Sequence, residues 1–342
     1  MAKKILVTGG VGYIGSHTVV ELITAGYEVV IVDDLSNSQS DVIERIKEIT
    51  GVEVSLHVFD LCDKAKLDVF LQAETGFDGI IHFAAKKAVG ESVQKPLFYY
   101  QSNLISLMNL LDAMNANNIK NFVFSSSCTV YGQPDKLPVS EATPRKEAES
   151  PYGNTKKISE DIIRDFASVN ADKSTIALRY FNPVGAHESG LIGELPNGVP
   201  NNLMPFISQT AIGLRQELKV FGGDYPTPDG SAIRDYIHVV DLAKAHVISL
   251  ARLINDKQSA NYEFFNLGTG SGCSVLEVIH AFEEVNKVKV NFKVVDRRVG
   301  DIVQIYADTT IANTELGWKT EKSLDDMVKS TWKWEQKLEA QR

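Results

Sequence analysis

The sequence predicts an α/β protein with a doubly wound parallel sheet and a smaller, loop-rich α/β second domain. Three observations carry this reading. Short apolar runs alternate with helix-spaced segments through the first half, a glycine-rich turn separates the first run from the first helix, and from about Phe181 the alternation stops as Gly and Pro become frequent. Regular strand–helix alternation requires right-handed crossovers and parallel strands. Helices then cover both faces, so the strands can be apolar throughout.

Taken in order, Ile5–Thr8 reads as a strand and Ser16–Ala25 as a helix that Gly26 stops. Strand character follows at Glu28–Asp33, Val54–Phe59 and Gly79–Phe83, with helical spacing at Val42–Ile49 and Lys64–Gln72. Phe98–Asn115 is a long helix with Leu104, Leu107, Met108, Leu111 and Met114 on one side. Phe122–Ser125 is a strand, Pro151–Asn170 a helix, and Ile176–Arg179 closes the series. The predicted boundary therefore falls between 1–180 and 181–342. In the second part the residues from Pro183 to Pro228 suggest long loops that wall a ligand cleft. The segment Arg234–Leu253 reads as a helix, part of it packing back on the first domain, and Val288–Val295 as a strand.

The chain has 342 residues, 44% of them hydrophobic and 23% charged, with a net charge of -9. That length suits about two domains. No basic cluster displaces counterions as a nucleic-acid surface must, so nucleic acid is excluded as a partner. No apolar run approaches the ~20 residues of a membrane span. Cys62, Cys128 and Cys273 form neither a metal pattern nor a disulfide framework, and the seven His form no spaced ligand set. A soluble, cytoplasmic protein without a metal is the expectation.

The opening stretch carries the first specific chemistry. Gly9, Gly12 and Gly15 follow a strand and precede a helix. The first glycine permits a tight turn, the second lets backbone approach a pyrophosphate, and the third lets the helix pack close to the sheet. The helix N-terminus adds free N–H groups and a positive dipole end. Asp33 ends the second strand 18 residues after Gly15, with Asp34 beside it. An acid at about 20 residues bonds the adenosine ribose and repels a 2′-phosphate, which favours NAD over NADP. Asp33 is the better candidate, and Asp34 alternatively a turn residue. Asp60 follows the third strand as either an adenine-side carboxylate or the N-cap of the Lys64 helix.

Tyr152 and Lys156 form a Tyr-x-x-x-Lys pair on one helix face. A phenol is a poor base at its ordinary pKa of ~10, and nearby positive charge lowers that value. Lys156 is one such charge, and an oxidised nicotinamide is another. Ser125, Ser126 and Ser127 end a strand 25 residues earlier, where parallel strands face the ligand crevice. Ser127 is the choice for a substrate contact that shares a proton with Tyr152; the other two suit structural roles.

Together, Thr8-Gly9-Gly10-x-Gly12-Tyr13-Ile14-Gly15, Ser125-Ser126-Ser127-x-Thr129-Val130-Tyr131-Gly132 and Ser150-Pro151-Tyr152-Gly153-x-x-Lys156 resemble the extended short-chain dehydrogenase/reductase family, whose nucleotide-binding domain is a Rossmann fold. Further blocks resemble its nucleotide-sugar 4-epimerase branch. They are His82–Ala84, Lys87–Ser92, Arg179–His187, Asn201–Pro205 and Arg234–Val239, and the likeness runs from Ile5 to Trp334. The resemblance implies NAD-dependent interconversion of UDP-galactose and UDP-glucose. Oxidation at C4 gives a 4-keto sugar, which rotates and is reduced on its other face. It implies tightly bound NAD, a homodimer built on the helices Phe98–Asn115 and Tyr152–Asn170, and a place in galactose metabolism. Residues 1–180 would bind NAD and 181–342 the UDP-sugar.

By position, the resemblance assigns Tyr152, Lys156 and Ser127 to catalysis. Gly9, Gly12, Tyr13, Ile14, Gly15, Asp33, Asn37, Ser38, Asp60, Leu61, Phe83, Ala84, Lys87 and Phe181 are assigned to the cofactor, which Tyr152 and Lys156 also contact. Ser127, Asn182, Asn202, Leu203, Lys219, Val220, Phe221, Arg234, Tyr236, Arg298 and Asp301 are assigned to the substrate. A diphosphate favours planar, bidentate cations, which suits Arg234 and Arg298. Three positions depart from the branch. Ser102 stands where Asn is common, Cys128 where Ala is frequent, and Ile305 where a side chain of varying bulk bears on N-acetylated sugars. Epimerisation of UDP-N-acetylhexosamines, another nucleotide-sugar oxidoreductase and a 4,6-dehydratase remain alternatives. The dehydratase wants an acid pair where Cys128-Thr129 stands. A non-enzymatic NAD-sensing scaffold would need neither Tyr152 nor Lys156.

Overall fold

A computed structural model describes residues 2–298 and 302–342. Seven parallel strands form the main sheet in the order β11-β6-β5-β4-β1-β2-β3. They are β1 (Lys4–Thr8), β2 (Glu28–Asp33), β3 (Ser55–Val58), β4 (Gly79–His82), β5 (Asn121–Ser125), β6 (Ser174–Tyr180) and, from far later in the chain, β11 (Tyr262–Leu267). The order reverses between β1 and β4. Thr8 pairs with His82 there, so the crevice that parallel sheets offer to ligands opens just beyond these residues.

Helices α1 (Tyr13–Thr24), α2 (Val42–Thr50), α3 (Lys64–Ala73), α4 (Val89–Gln94), α5 (Pro96–Ala116) and α6 (Pro151–Val169) belong to the first half. One apolar layer, with Ile5, Val7, Val19, Leu22, Ile31 and Ile81, lies under α1 and α8 (Val239–Ile254), and α8 packs along α1. The opposite layer joins Leu6, Ile80, Leu110, Phe122 and Ile163 under α3, α5 and α6. A strand such as β1, 0% exposed at Ile5, Leu6 and Val7, feeds both layers alternately, as period-2 geometry demands.

The second half builds its own core around Val184, Met204, Ile207, Val220, Ile279 and Phe282. It uses β7 (Asn182–Val184), α7 (Leu203–Ala211), β8 (Leu218–Phe221), β9 (Ile233–Arg234), β10 (Tyr236–His238), β12 (Cys273–Ser274), α9 (Val275–Asn286), β13 (Phe292–Val295), β14 (Gln304–Ile305) and α10 (Leu324–Glu339). Three small sheets, β10-β7, β12-β9-β14 and β13-β8, complete it.

Two boundaries differ from expectation. The predicted helix Arg234–Leu253 begins only at Val239, because Arg234 and Tyr236–His238 are extended. Between them the fully buried Asp235 accepts hydrogen bonds from Thr269 N (2.8 Å), Gly270 N (3.2 Å) and Ala307 N (3.1 Å), which holds the backbone open. His238 then caps α8, its Nδ1 accepting from Val240 N at 3.1 Å. The strand read at Val288–Val295 is formed only by Phe292–Val295. In the other direction, α1 starts at Tyr13, three residues before the expected Ser16, so Tyr13 and Ile14 sit in its first turn.

A buried ion pair ties α6 to the sheet. Glu160, 1% exposed, accepts from Arg179 Nε at 2.8 Å and Arg179 Nη2 at 2.6 Å, and from Ser126 Oγ at 2.6 Å. Arg179 lies over the rings of Phe264 and Tyr131, and its Nη1 donates to Tyr131 Oη at 2.9 Å. Glu160→Leu leaves the guanidinium buried beside no carboxylate and should lower the unfolding free energy by ~3–5 kcal/mol. The double variant Glu160→Leu/Arg179→Met should lose less than the single one, as urea denaturation of both will measure.

Candidate active site

The glycine turn forms a cradle of backbone. Gly9 has φ +72°, and a Cβ there would come within 2.7 Å of Ala84 N. A Cβ on Gly15 would lie 2.1 Å from Gly9 O, so α1 can approach the strand only without a side chain. Gly12 is the N-cap of α1 and no side chain caps the helix, which leaves its dipole end and first-turn donors directed at the crevice. At the end of β2 the buried Asp33 accepts from Val11 N (3.3 Å), Leu35 N (3.0 Å) and Ser38 Oγ (2.8 Å). Burial raises its pKa and these hydrogen bonds oppose the rise. Asp34 is held by Ser36 and by Lys86 at 3.0 Å. Asp60 accepts from Cys62 N at 2.8 Å and does not cap the next helix; Asp63 does, accepting from Lys66 N. A backbone cradle with a helix end and a buried ribose-side acid fits a dinucleotide.

Ser150-Pro151 explains how Tyr152 and Lys156 are presented. Ser150 Oγ accepts from Gly153 N at 3.1 Å and Pro151 occupies the first turn, so the helix starts with Tyr152 at its mouth and Lys156 one turn in. Thr155 Oγ1 donates to Tyr152 O at 2.7 Å and accepts from Asn103 of α5 at 3.0 Å. Ser125 Oγ pairs with Tyr180 Oη at 2.7 Å and Ser126 is taken by Glu160, so of the three serines Ser127 keeps its hydroxyl at the crevice, where it accepts from Thr129 N at 3.2 Å.

The electrostatics differ from expectation in one respect. Lys156 is 4% exposed and its Nζ donates to Ser125 O at 2.6 Å, 6.0 Å from the centre of the Tyr152 ring. Burial pulls its pKa down to about 7, against an opposing pull from Glu160. The Tyr152 phenol is raised well above its ordinary value, first by burial and then by Tyr180 and Cys128. A Ser127 hydrogen bond pulls the other way. Burial outweighs any lowering of the phenol by Lys156, whose Nζ is bonded to the Ser125 carbonyl.

A single cavity of about 1400 Å³ runs from the glycine turn past Tyr152 into the second half. That exceeds the ~300–1,000 Å³ of a site for one small molecule. Every residue assigned above to cofactor or substrate lines it, apart from Asp301, which lies outside the described residues. On the far wall Arg234 sits in β9 and Tyr236 in β10, with Asp235 between them as the brace that turns both toward the cavity. Arg298 stacks on Phe221, its guanidinium carbon 5.0 Å from the ring centre. Asn202 is the N-cap position of α7. Cys128 and Ile305, 9% and 4% exposed, pack with Phe181 and Val139 and form the apolar side beside Tyr152. Among the described residues no group of His, Cys, Asp or Glu is placed to hold a metal ion, and no helix is long and apolar enough to cross a membrane. The three cysteines are free.

Sequence reasoning missed Glu160, Arg179 and Asp235 as supports. Glu160 follows Lys156 by four residues, a spacing that places both on one helix face and could have flagged it.

A phenol and an amine one helical turn apart, beside a strand-end serine and a dinucleotide cradle, place the chain among the extended short-chain dehydrogenases/reductases. A family profile described as GDP-mannose 4,6 dehydratase matches residues 6–331. The UDP-glucose 4-epimerase of Pasteurella multocida is 51% identical over 333 residues, 97% of either chain, and that of Bacillus subtilis 50% identical over 97% of this chain and 96% of its own. Among solved structures, a UDP-glucose-4-epimerase from Stenotrophomonas maltophila with bound NAD and formylated UDP-arabinopyranose superposes with a TM-score of 0.95 at 48% identity, covering 99% of this chain and 100% of that one. The Bifidobacterium longum enzyme in complex with NAD+ and UDP gives 0.93 at 47%, covering 98% of each. The chain belongs to the UDP-glucose 4-epimerase family, and it is an NAD-dependent isomerase.

Gly15→Ala should abolish cofactor retention and lower the melting temperature, checked by the NAD content of purified protein and by thermal unfolding. A second test concerns pH. Between about 7 and the ordinary 10.5 of lysine, the folded chain without cofactor leaves Lys156 neutral while the unfolded chain keeps it charged. The unfolded state therefore binds more protons, and this group makes stability rise with pH across that window. Lys156→Met should remove that part of the rise, read from urea midpoints at pH 7 and 10.

Proposed function

We propose that Tyr152, Ser127 and Lys156 carry the chemistry by which this chain interconverts UDP-galactose and UDP-glucose at C4. The observation that carries the assignment is the convergence of Tyr152 and Ser127 on one cavity wall, one helical turn from the buried Lys156 and continuous with the glycine cradle. When bound, NAD supplies the hydride sink for C4 and a cationic ring that opposes the upward pull of burial on the phenol. Tyr152 takes the proton of the 4-hydroxyl and later returns one. Ser127 hydrogen-bonds the same sugar oxygen and helps move the proton. Lys156 holds the nicotinamide ribose and, anchored on Ser125 O, keeps the strand end and the helix in register. Asp33 holds the adenosine ribose. Arg234 and Arg298 hold the diphosphate of UDP with bidentate donors. Tyr236, Asn182, Asn202, Leu203, Lys219, Val220 and Phe221 shape the nucleotide and sugar pocket. This divides labour between residues 1–180, which serve NAD, and 181–342, which serve the UDP-sugar. The apolar corner of Ile305, Cys128 and Phe181 excludes water while the sugar is oxidised.

We also propose a cytoplasmic homodimer. On α5 the side chains of Leu97, Ile105 and Met108 are 73%, 37% and 45% exposed and fall along one helix face, which two copies can bury against each other. Sedimentation equilibrium should return twice the chain mass.

Purified protein incubated with UDP-galactose and no added cofactor should yield UDP-glucose. Tyr152→Phe should cut turnover by at least ~100-fold while NAD stays bound; a fully active variant would remove Tyr152 from the mechanism. Asp33→Ala should weaken NAD binding and narrow its preference over NADP in a cofactor titration.

A further inference from the structure

One carboxylate stands between the cofactor side and the substrate side of the cavity. Glu194 lies in the loop that follows β7, with its side chain 11% exposed. Its Oε1 accepts from Asn202 Nδ2 at 2.6 Å and from Lys87 Nζ at 3.4 Å. Lys87 follows β4 in the first half, and Asn202 opens α7 in the second. Burial raises the pKa of the Tyr13 phenol in the first turn of α1, and the Glu194 charge adds to that rise.

The loop that carries Glu194 is tied down at several points. Tyr13 Oη donates to Gly185 O at 2.7 Å, Trp334 Nε1 of α10 donates to Glu194 O at 3.0 Å, and Arg45 of α2 donates to Leu191 O at 3.4 Å. A Cβ on Gly193 would come within 2.5 Å of the Trp334 ring, so the indole is seated directly on the backbone beside Glu194. An exposed ion pair on a free loop would be screened and weak. Here the Lys87 side chain is 48% exposed, but the backbone is anchored, the carboxylate is sheltered at 11%, and a neutral amide shares its oxygen with the cation.

We propose that Glu194 is a positioning residue that couples retention of the cofactor to occupation of the uridine-nucleotide pocket. This rests on the reading of Lys87 as a cofactor contact and Asn202 as a substrate contact. A nucleotide that engages Asn202 changes how that amide shares Glu194, and the carboxylate transmits the change to Lys87. Coupling of this kind is reciprocal, so a bound cofactor must tighten the nucleotide by the same factor. The use for the reaction is direct: a keto sugar must not outlive its reductant in the site.

The test measures how fast NAD leaves the holoenzyme after rapid dilution, with and without saturating UDP. The ratio of the two rates is the readout, because a merely structural defect speeds both and leaves their ratio alone. In the unsubstituted protein UDP should slow release at least about fivefold. Glu194→Gln should bring the ratio close to one. Glu194→Asp, which keeps the charge but is too short to reach both partners, should do the same if the Gln variant fails to fold. A wild-type ratio in either folded variant, or no UDP effect in the unsubstituted holoenzyme, overturns the proposal. Lys87→Met run alongside separates the two readings. If it speeds NAD release and brings the ratio close to one, both readings stand. If it leaves NAD release unchanged, the reading of Lys87 as a cofactor contact fails and the route through Glu194 fails with it, whereas a wild-type ratio in Glu194→Gln beside a fast-releasing Lys87→Met sinks the role of Glu194 alone.

Discussion

The buried Arg179–Glu160 pair is the constraint on which the reaction centre depends. Tyr152 and Lys156 stand on α6 and Ser127 on the end of β5, so their mutual placement is the placement of one helix against one strand end. Glu160 fixes it by binding Ser126 and Arg179 together, in a space that admits almost no water. The guanidinium continues the chain of contacts through Tyr131 to Asn266, whose amide donates to Val139 O at 2.9 Å. Burying two charges is costly unless they are paired and hydrogen-bonded, and here Glu160 accepts from Ser126, Arg145 and Arg179 while Arg179 also donates to Tyr131.

Asp235 plays the corresponding part on the opposite wall. A buried carboxylate that gathers backbone N–H groups from two loops forces Arg234 and Tyr236 into extended backbone, and extended backbone sends alternate residues to opposite faces. The cation and the phenol therefore face the cavity while the acid faces the core. Both supports follow one rule: an ionised group withdrawn from water organises whatever surrounds it, and the reactive side chains are carried by what it organises.

Much of this was legible in the amino-acid sequence, and the division follows distance along the chain. The glycine turn, the Tyr152–Lys156 pair and the Ser150-Pro151 helix start are local patterns in which spacing determines geometry, and they could be read directly. What separates Ser127 from its two neighbours was not legible, since Ser125 also lines the cavity and the difference lies in distant partners, Tyr180 for Ser125 and Glu160 for Ser126. Glu160 and Arg179 are 19 residues apart on different elements, and nothing in either neighbourhood says that they meet. The start of α8 was misplaced because the apolar spacing continues back through Ile233 and Ile237, while the cause of the break is a carboxylate whose partners lie 34 to 72 residues away. Asp60 and Asp63 are equivalent as helix caps by composition; only the path of the turn selects Asp63.

The seventh strand has a consequence for how such a molecule can be divided. β11 arrives after nearly all of the substrate loops have been traced, yet it forms the border of the nucleotide sheet beside β6, pairing from Tyr262 with Thr175 to Leu267 with Tyr180. Cutting the chain behind β6 would bare a long apolar margin with its peptide groups unmet, which invites association with other chains. A chimera between two relatives would have to move residues 262–267 together with the amino-terminal half. The two ligand-binding regions are therefore threaded through each other, and neither can be inherited as a separate cassette.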